Sequence, residues 1–161
     1  MENYDNACAK YYNSLNIKCL PLSTWEFRKE YFSNEIIYKK LLTTWNTKQD
    51  YLEQAHKENR ELIVTDKNFR IVFVSDTIST ISGYRQEEIL GKSPTMFQGE
   101  GTCIATRQKI KTALTQQKPF KEVILNYKKN GESYWCEIEA FPMFDKKGTF
   151  LNYIALERIA S

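Results

Sequence analysis

Histidine is almost missing from this sequence: His56 is the only one among 161 residues. Histidine-based acid–base or nucleophilic catalysis therefore has a single candidate base, and no Ser-His-Asp or Cys-His set can be assembled around it. The four cysteines, Cys8, Cys19, Cys103 and Cys136, form no C-x-x-C pair and have no histidine near them. A zinc site of ordinary spacing is excluded on that count. Long apolar runs are also lacking. No stretch approaches the ~18 residues of a membrane-spanning helix. The opening Met-Glu-Asn-Tyr-Asp is polar and acidic, with no apolar segment behind it. The chain is expected to be cytoplasmic, with free thiols and no membrane partner. Basic runs stop at pairs such as Lys39-Lys40 and Lys128-Lys129, and 23 basic residues are interspersed with 20 acidic ones. That mixture argues against a nucleic-acid surface. No enzyme is expected.

What is present is aromatic and apolar. Ten Tyr and nine Phe allow one ordinary globular core, with chain left over. The surplus lies at the amino-terminal end, and residues 1–60 are read as a helical region for dimerisation or packing. Ser23-Thr24-Trp25-Glu26 has the form of a capping box. Apolar residues follow at Trp25, Phe27, Tyr31, Phe32, Ile36, Ile37, Leu41, Leu42 and Trp45. The steps of four from Ile37 through Leu41 to Trp45 predict an apolar stripe, taken here as an interface. Helix breaks are expected near Ser33-Asn34 and Asn46-Thr47, where polar side chains compete for the backbone.

Residues 61–161 have a different texture. Leu62 to Asp66 and Arg70 to Val74 read as two strands around a turn at Asp66-Lys67-Asn68-Phe69. Short helical pieces span Ile78 to Leu90, punctuated by Gly83 and Gly91, and a longer helix spans Thr106 to Gln117. Phe120–Tyr127, Ser133–Met143 and Phe150–Arg158 complete the strands. They are joined by the Asn130-Gly131 and Asp145-to-Gly148 turns. The order predicts an α+β domain, a five-stranded antiparallel sheet with helices on one face.

That order, with Ile81-Ser82-Gly83-Tyr84, Glu87 to Gly91, Asn126 to Gly131 and Phe141 to Gly148, resembles the PAS family. Within it the chain is most similar to the light-oxygen-voltage (LOV) branch. Gly91-Lys92-Ser93-Pro94-Thr95-Met96-Phe97-Gln98-Gly99 stands where that branch carries G-x-N-C-R-F-L-Q-G. The resemblance implies that Pro94 replaces the cysteine that attacks the flavin, and that Ser93 replaces the preceding Asn. Ile104 and Gln108 fall where two phosphate-clamping arginines would stand. Arg107 is one residue off, about 100° around the helix. Asn126 matches the first ring-reading Asn, whereas Cys136 and Glu157 stand for a second Asn and a Gln. An ionised carboxylate against an apolar pocket is costly.

These replacements predict a stand-alone PAS sensory and protein-interaction module without flavin, acting as a homodimer or on a signalling partner. The alternative is a LOV-like photo- or redox sensor holding flavin or another small ligand. Haem is not expected, since no histidine lies within the domain. Ile63, Val74, Ile78, Met96, Phe97, Leu125, Tyr134, Ile138 and Leu156 should line the space between sheet and helices. That space is expected to be filled by its own aromatics. If a ligand is held there, Gln98, Asn126, Met96, Phe97, Cys136 and Leu156 are the residues to hold it. Glu137 and Glu139 are read as a solvated strand face. With no Asp-Ile-Thr element at Ile159-Ala160-Ser161, output is expected through a surface or the amino-terminal helices.

Overall fold

The β-rich runs of the sequence assemble into one antiparallel sheet of five strands. The computed structural model describes residues 34–160. In chain order these form α1 (residues 34–44) and α2 (Tyr51–Glu58), then β1 (Glu61–Thr65) and β2 (Ile71–Val74). Next come α3 (Ile78–Ser82), α4 (Gln86–Ile89), a 3-10 turn (Pro94–Phe97) and α5 (Ile104–Thr115). The chain closes with β3 (Phe120–Tyr127), β4 (Ser133–Phe144) and β5 (Phe150–Ile159). The capping box at Ser23–Glu26, the aromatic residues from Trp25 to Phe32, and Cys8 and Cys19 lie outside the described residues.

Strand order is β2-β1-β5-β4-β3, so the last strand runs through the centre, between β1 and β4. Each hairpin turn has its own side-chain lock. Asp66 Oδ1 accepts from the amides of Asn68 (2.8 Å) and Arg70 (2.9 Å). Asn130 Oδ1 accepts from Glu132 N, and Asp145 Oδ1 accepts from Lys147 N and Thr149 N. These are the short polar side chains that mimic a turn of backbone. Gly131 sits at φ +88°, in the left-handed region that the tight β3–β4 turn requires.

Period two sorts β5 cleanly. Tyr153, Ala155 and Glu157 face one side, toward α3–α5. Ile154 and Leu156 face the other side, where Leu62, Val64, Phe73 and Met143 join them in a core covered by Tyr38, Trp45, Tyr51 and Ala55. The amino-terminal helices therefore pack on the sheet's outer face, and the compact unit that contains the sheet begins at Asn34. Trp45 Nε1 donates to Asn152 Oδ1 (2.9 Å), and Asn152 Nδ2 donates to Thr65 O (3.0 Å). Tyr38 Oη donates to Asp50 Oδ1 and accepts from Leu52 N, both at 3.0 Å. Asp50 also caps α2.

The stripe expected as an interface is thus largely consumed inside the domain. Trp45 is buried and Leu41 is half-buried against this core, while Ile37 stays 40% exposed. The reason is helix geometry: steps of four drift by about 40° each, so Ile37 has rotated off the face. The packed face is instead Tyr38, Leu41, Leu42 and Trp45.

Candidate functional site

Two small residues create the site. On the inner face of the sheet, Ala140 and Ala155 are cross-strand partners, flanked by Phe120 beyond Ala140 and Ile63 beyond Ala155. Methyl groups at the centre of a sheet face leave room that Leu or Ile would fill. The result is a cavity of about 490 Å³, within the usual size range of small-ligand sites. Its walls are mostly apolar: Ile63, Phe97, Ile110, Leu114, Phe120, Ile124, Ile138 and Tyr153. The expectation of a space filled by its own aromatics is corrected here. The rings gather at two ends instead, Phe120 and Phe69 against Tyr153, and Tyr84 against Phe97. The centre between them stays open.

α5 forms the roof, and no residue of α5 is buried. Ile104, the first residue of the helix, is 79% exposed although it borders the cavity. An amphipathic helix over a filled core would bury its apolar stripe. This one borders an open space and is held by partial burial of Ile110 against Ile124 and by the Tyr153 hydroxyl, which donates to Ala113 O (3.1 Å).

Two polar atoms of the lining lack a partner. Thr65 Oγ1 and Gln98 Oε1 are buried and have no hydrogen-bond partner among the described residues. Both residues line the cavity, as do buried Asn126 and Glu157. Gln98 is positioned by the loop after it. Gly99 N donates to Thr102 Oγ1 (2.9 Å), which donates to Leu125 O (2.7 Å), and Gly101 N donates to Tyr127 Oη (2.9 Å). The ring of Tyr127 lies so close that a Cβ at Gly99 would sit 2.6 Å from its Cε2. Gly99 is therefore a steric requirement of this loop. At the mouth stand Ser93, Pro94 and Thr95 from the 3-10 turn, and Arg107, Gln108 and Lys111 from α5. Arg107, expected to point away, shares a face with Ile104, Gln108 and Lys111, because three residues are within about 60° of a full turn.

Glu157 is the unusual group. Its cross-strand partner on β1 is Glu61, and both are buried. Glu61 accepts from the hydroxyls of Ser75 and Thr77. Glu157 Oε2 accepts from the Cys136 thiol at 3.5 Å. Burial pushes the Glu157 carboxyl up to about 7; the Cys136 hydrogen bond works against this and the Glu61 charge adds to it. Burial, followed by the Glu157 charge, drives the Cys136 thiol far above its ordinary range.

Of the residues named for a ligand, Phe97, Gln98 and Asn126 line the cavity. Met96 packs instead against the Ile63–Phe97 cluster beside it. Cys136 is sealed with Ile124 and Tyr134, behind Glu157. Leu156 is turned to the outer face by strand alternation. Ile63 and Ile138 line the cavity as expected; Val74 and Ile78 belong to a closed cluster, and Leu125 is cross-strand to Trp135. Thr65, Ala140, Ala155 and the Arg107–Lys111 pair are additions. Only period-two alternation through Ile138, Ala140, Ala155 and Glu157 hints at them. Glu137 is not a freely solvated carboxylate: it accepts from Arg60 and, at 3.1 Å, from Arg158 Nη2, with Lys121 at 3.4 Å. His56 is exposed on α2 and does not line the cavity.

A PAS domain family model matches residues 60–158. Among curated relatives, a blue-light-activated histidine kinase of Brucella canis is 32% identical over 85 residues, which cover 53% of this chain and 17% of that protein. Phototropin-2 of Oryza sativa subsp. japonica is 32% identical over 111 residues, or 67% of this chain and 12% of that protein. The chain thus spans only a small part of the length of these relatives. Among solved structures, the light state of the Aureochrome1 LOV photoreceptor superposes with a TM-score of 0.62 at 27% identity, covering 67% of this chain and 88% of that one. A light-oxygen-voltage domain studied with a flavin analogue gives 0.66 at 23% identity, covering 71% and 87%, and shares the fold.

Proposed function

The chain belongs to the PAS domain family, and from that premise we propose that it is a LOV-like sensory module whose cavity binds a small planar ligand of the flavin class. The observation that carries this reading is the roof helix α5, which buries none of its residues above a cavity holding two unpartnered buried polar atoms. A ligand would complete the packing of Ile110 and Leu114 and satisfy Thr65 and Gln98. The likeness to blue-light photoreceptors supports the same class.

The residues present fit flavin mononucleotide in three respects. The volume suffices, Gln98 and Asn126 offer amides to a ring edge, and Arg107 and Lys111 at the mouth offer charge to an anionic tail. Such a group, when bound, supplies light absorption and electron chemistry. The chain contributes apolar walls that exclude water, two amides that orient the ring, and two cations that hold the tail. A cysteine adduct is not part of the reading. Pro94 stands at the mouth without a nucleophile, and of the described cysteines Cys103 is exposed and Cys136 is buried outside the lining. No turnover is assigned.

The module is further proposed to pair with a second copy of itself or with a signalling protein. α1 and α2 leave part of the outer face open, where Val123 and Trp135 are 45% and 54% exposed. No described helix is long and apolar enough to cross a membrane.

The ligand reading is tested by titrating the protein with flavin mononucleotide and with riboflavin, following flavin fluorescence and the visible band. Saturable binding of both is expected, with the phosphorylated form tighter. Arg107→Ala and Lys111→Ala should erase that difference and leave riboflavin binding unchanged. Absence of saturable binding for both flavins would remove the flavin class and return the cavity to a ligand-free adaptor.

A further inference from the structure

The sheet sorts charge by face around one pair of positions. Arg60 and Arg158 precede and follow the two acids in sequence, Glu61 and Glu157, yet period two turns both arginines outward. There they converge on Glu137. The acids are turned inward, 6% and 7% exposed, and face each other across β1 and β5. Direct cross-strand partners stand about 5 Å apart at Cβ. Burial beside a second carboxyl makes the charged form of Glu157 costly.

The two carboxyls differ in their hydrogen bonds. Glu61 accepts from two hydroxyls, Ser75 Oγ and Thr77 Oγ1. Glu157 accepts only from the Cys136 thiol, a weak donor. It is also the one carboxylate among the described residues that lines the cavity. The other groups of that region are Tyr134 and Cys136 on β4, Asn126 on β3, Gln98 just after the 3-10 turn, and Arg107 and Lys111 at the mouth on α5.

Building on the ligand-binding reading above, we propose that Glu157 holds its proton in the buried site beside Glu61 and donates it in a hydrogen bond to an acceptor atom of the bound ligand. Occupancy of the cavity is then linked to one proton. Above the pH at which Glu157 ionises in the free site, binding takes up a proton from solvent. The residue that costs most to bury becomes the one that sets the conditions for binding.

The test measures the affinity for riboflavin, which carries no titrating phosphate, from about pH 5 to about pH 9 in the wild type and in Glu157→Gln, which keeps a donor but has no proton to lose. Wild-type affinity should be level at acid pH and then fall by up to about tenfold per unit above neutrality. The variant's own affinity should stay level across the range. A level or rising wild-type profile, or an equal fall in the variant, overturns the proposal while leaving the flavin reading in place. If neither flavin binds at any pH, the ligand reading fails by itself, and the proton is sought in the free protein by urea denaturation. A group whose folded value is raised makes stability fall as pH rises, here between the ordinary carboxylate range and about 7. That slope should be present in the wild type and absent in Glu157→Gln; equal slopes in both would sink the assignment of the proton to Glu157 as well.

Discussion

Gly99 is a residue whose importance is steric. Its neighbour Gln98 offers a buried oxygen to the cavity, and the loop that aims it passes within van der Waals contact of the Tyr127 ring. A methyl group at Gly99 would force the ring or the loop to move. Gly99→Ala is expected to cost about 1–3 kcal/mol, read from urea denaturation, and to weaken flavin binding because Gln98 shifts with the loop. Unchanged stability would mean that the Tyr127 ring yields freely. Gln98 and Asn126 were legible in the sequence, since each sits in a motif whose glycines mark a loop or turn. Arg107 was misjudged because a fixed angle per residue ignores the reach of a long side chain and the closeness of three-residue steps. Thr65 was invisible: an ordinary Thr in a β-rich run carries no mark of an unpartnered hydroxyl.

At the scale of elements, the roof helix and the floor pair belong together. Ala140 and Ala155 open the floor, and α5 stays loosely packed above it. Ala155→Leu fills the space from below. It is expected to raise the stability of the ligand-free protein by about 0.5–2 kcal/mol, slow amide exchange along α5, and reduce flavin affinity at least tenfold. A destabilised variant with unchanged α5 exchange would mean that the floor already closes in solution. The strands and turns were readable because alternation and turn chemistry are local signals. The opening between floor and roof was not. It arises from the register between β4 and β5, residues 140 and 155, and composition cannot say where aromatic rings will gather. The same limit explains the amino-terminal stripe: its existence was legible, but the small rotation that puts Tyr38 inward and Ile37 outward was not.

For the whole molecule, the sheet has two differently used faces. The inner face carries the cavity, and the outer face is covered by α1 and α2 over β1, β5 and the far end of β4. The uncovered remainder, around Val123 and Trp135, is where self-association is proposed. Sedimentation equilibrium should show a concentration-dependent dimer that Trp135→Glu dissociates without lowering the melting temperature. A wild-type monomer at high concentration would leave a heterologous partner as the occupant of that face. Pairing β1 with β5 joins residue 61 to residue 157 at the middle of the sheet. During synthesis the β1–β2 hairpin must therefore wait for nearly the whole domain to be made before its inner edge is covered. Until then that edge is an open template for other chains. Pairing across so long a sequence separation also slows folding. A sensor built this way is most exposed to aggregation while it is still incomplete.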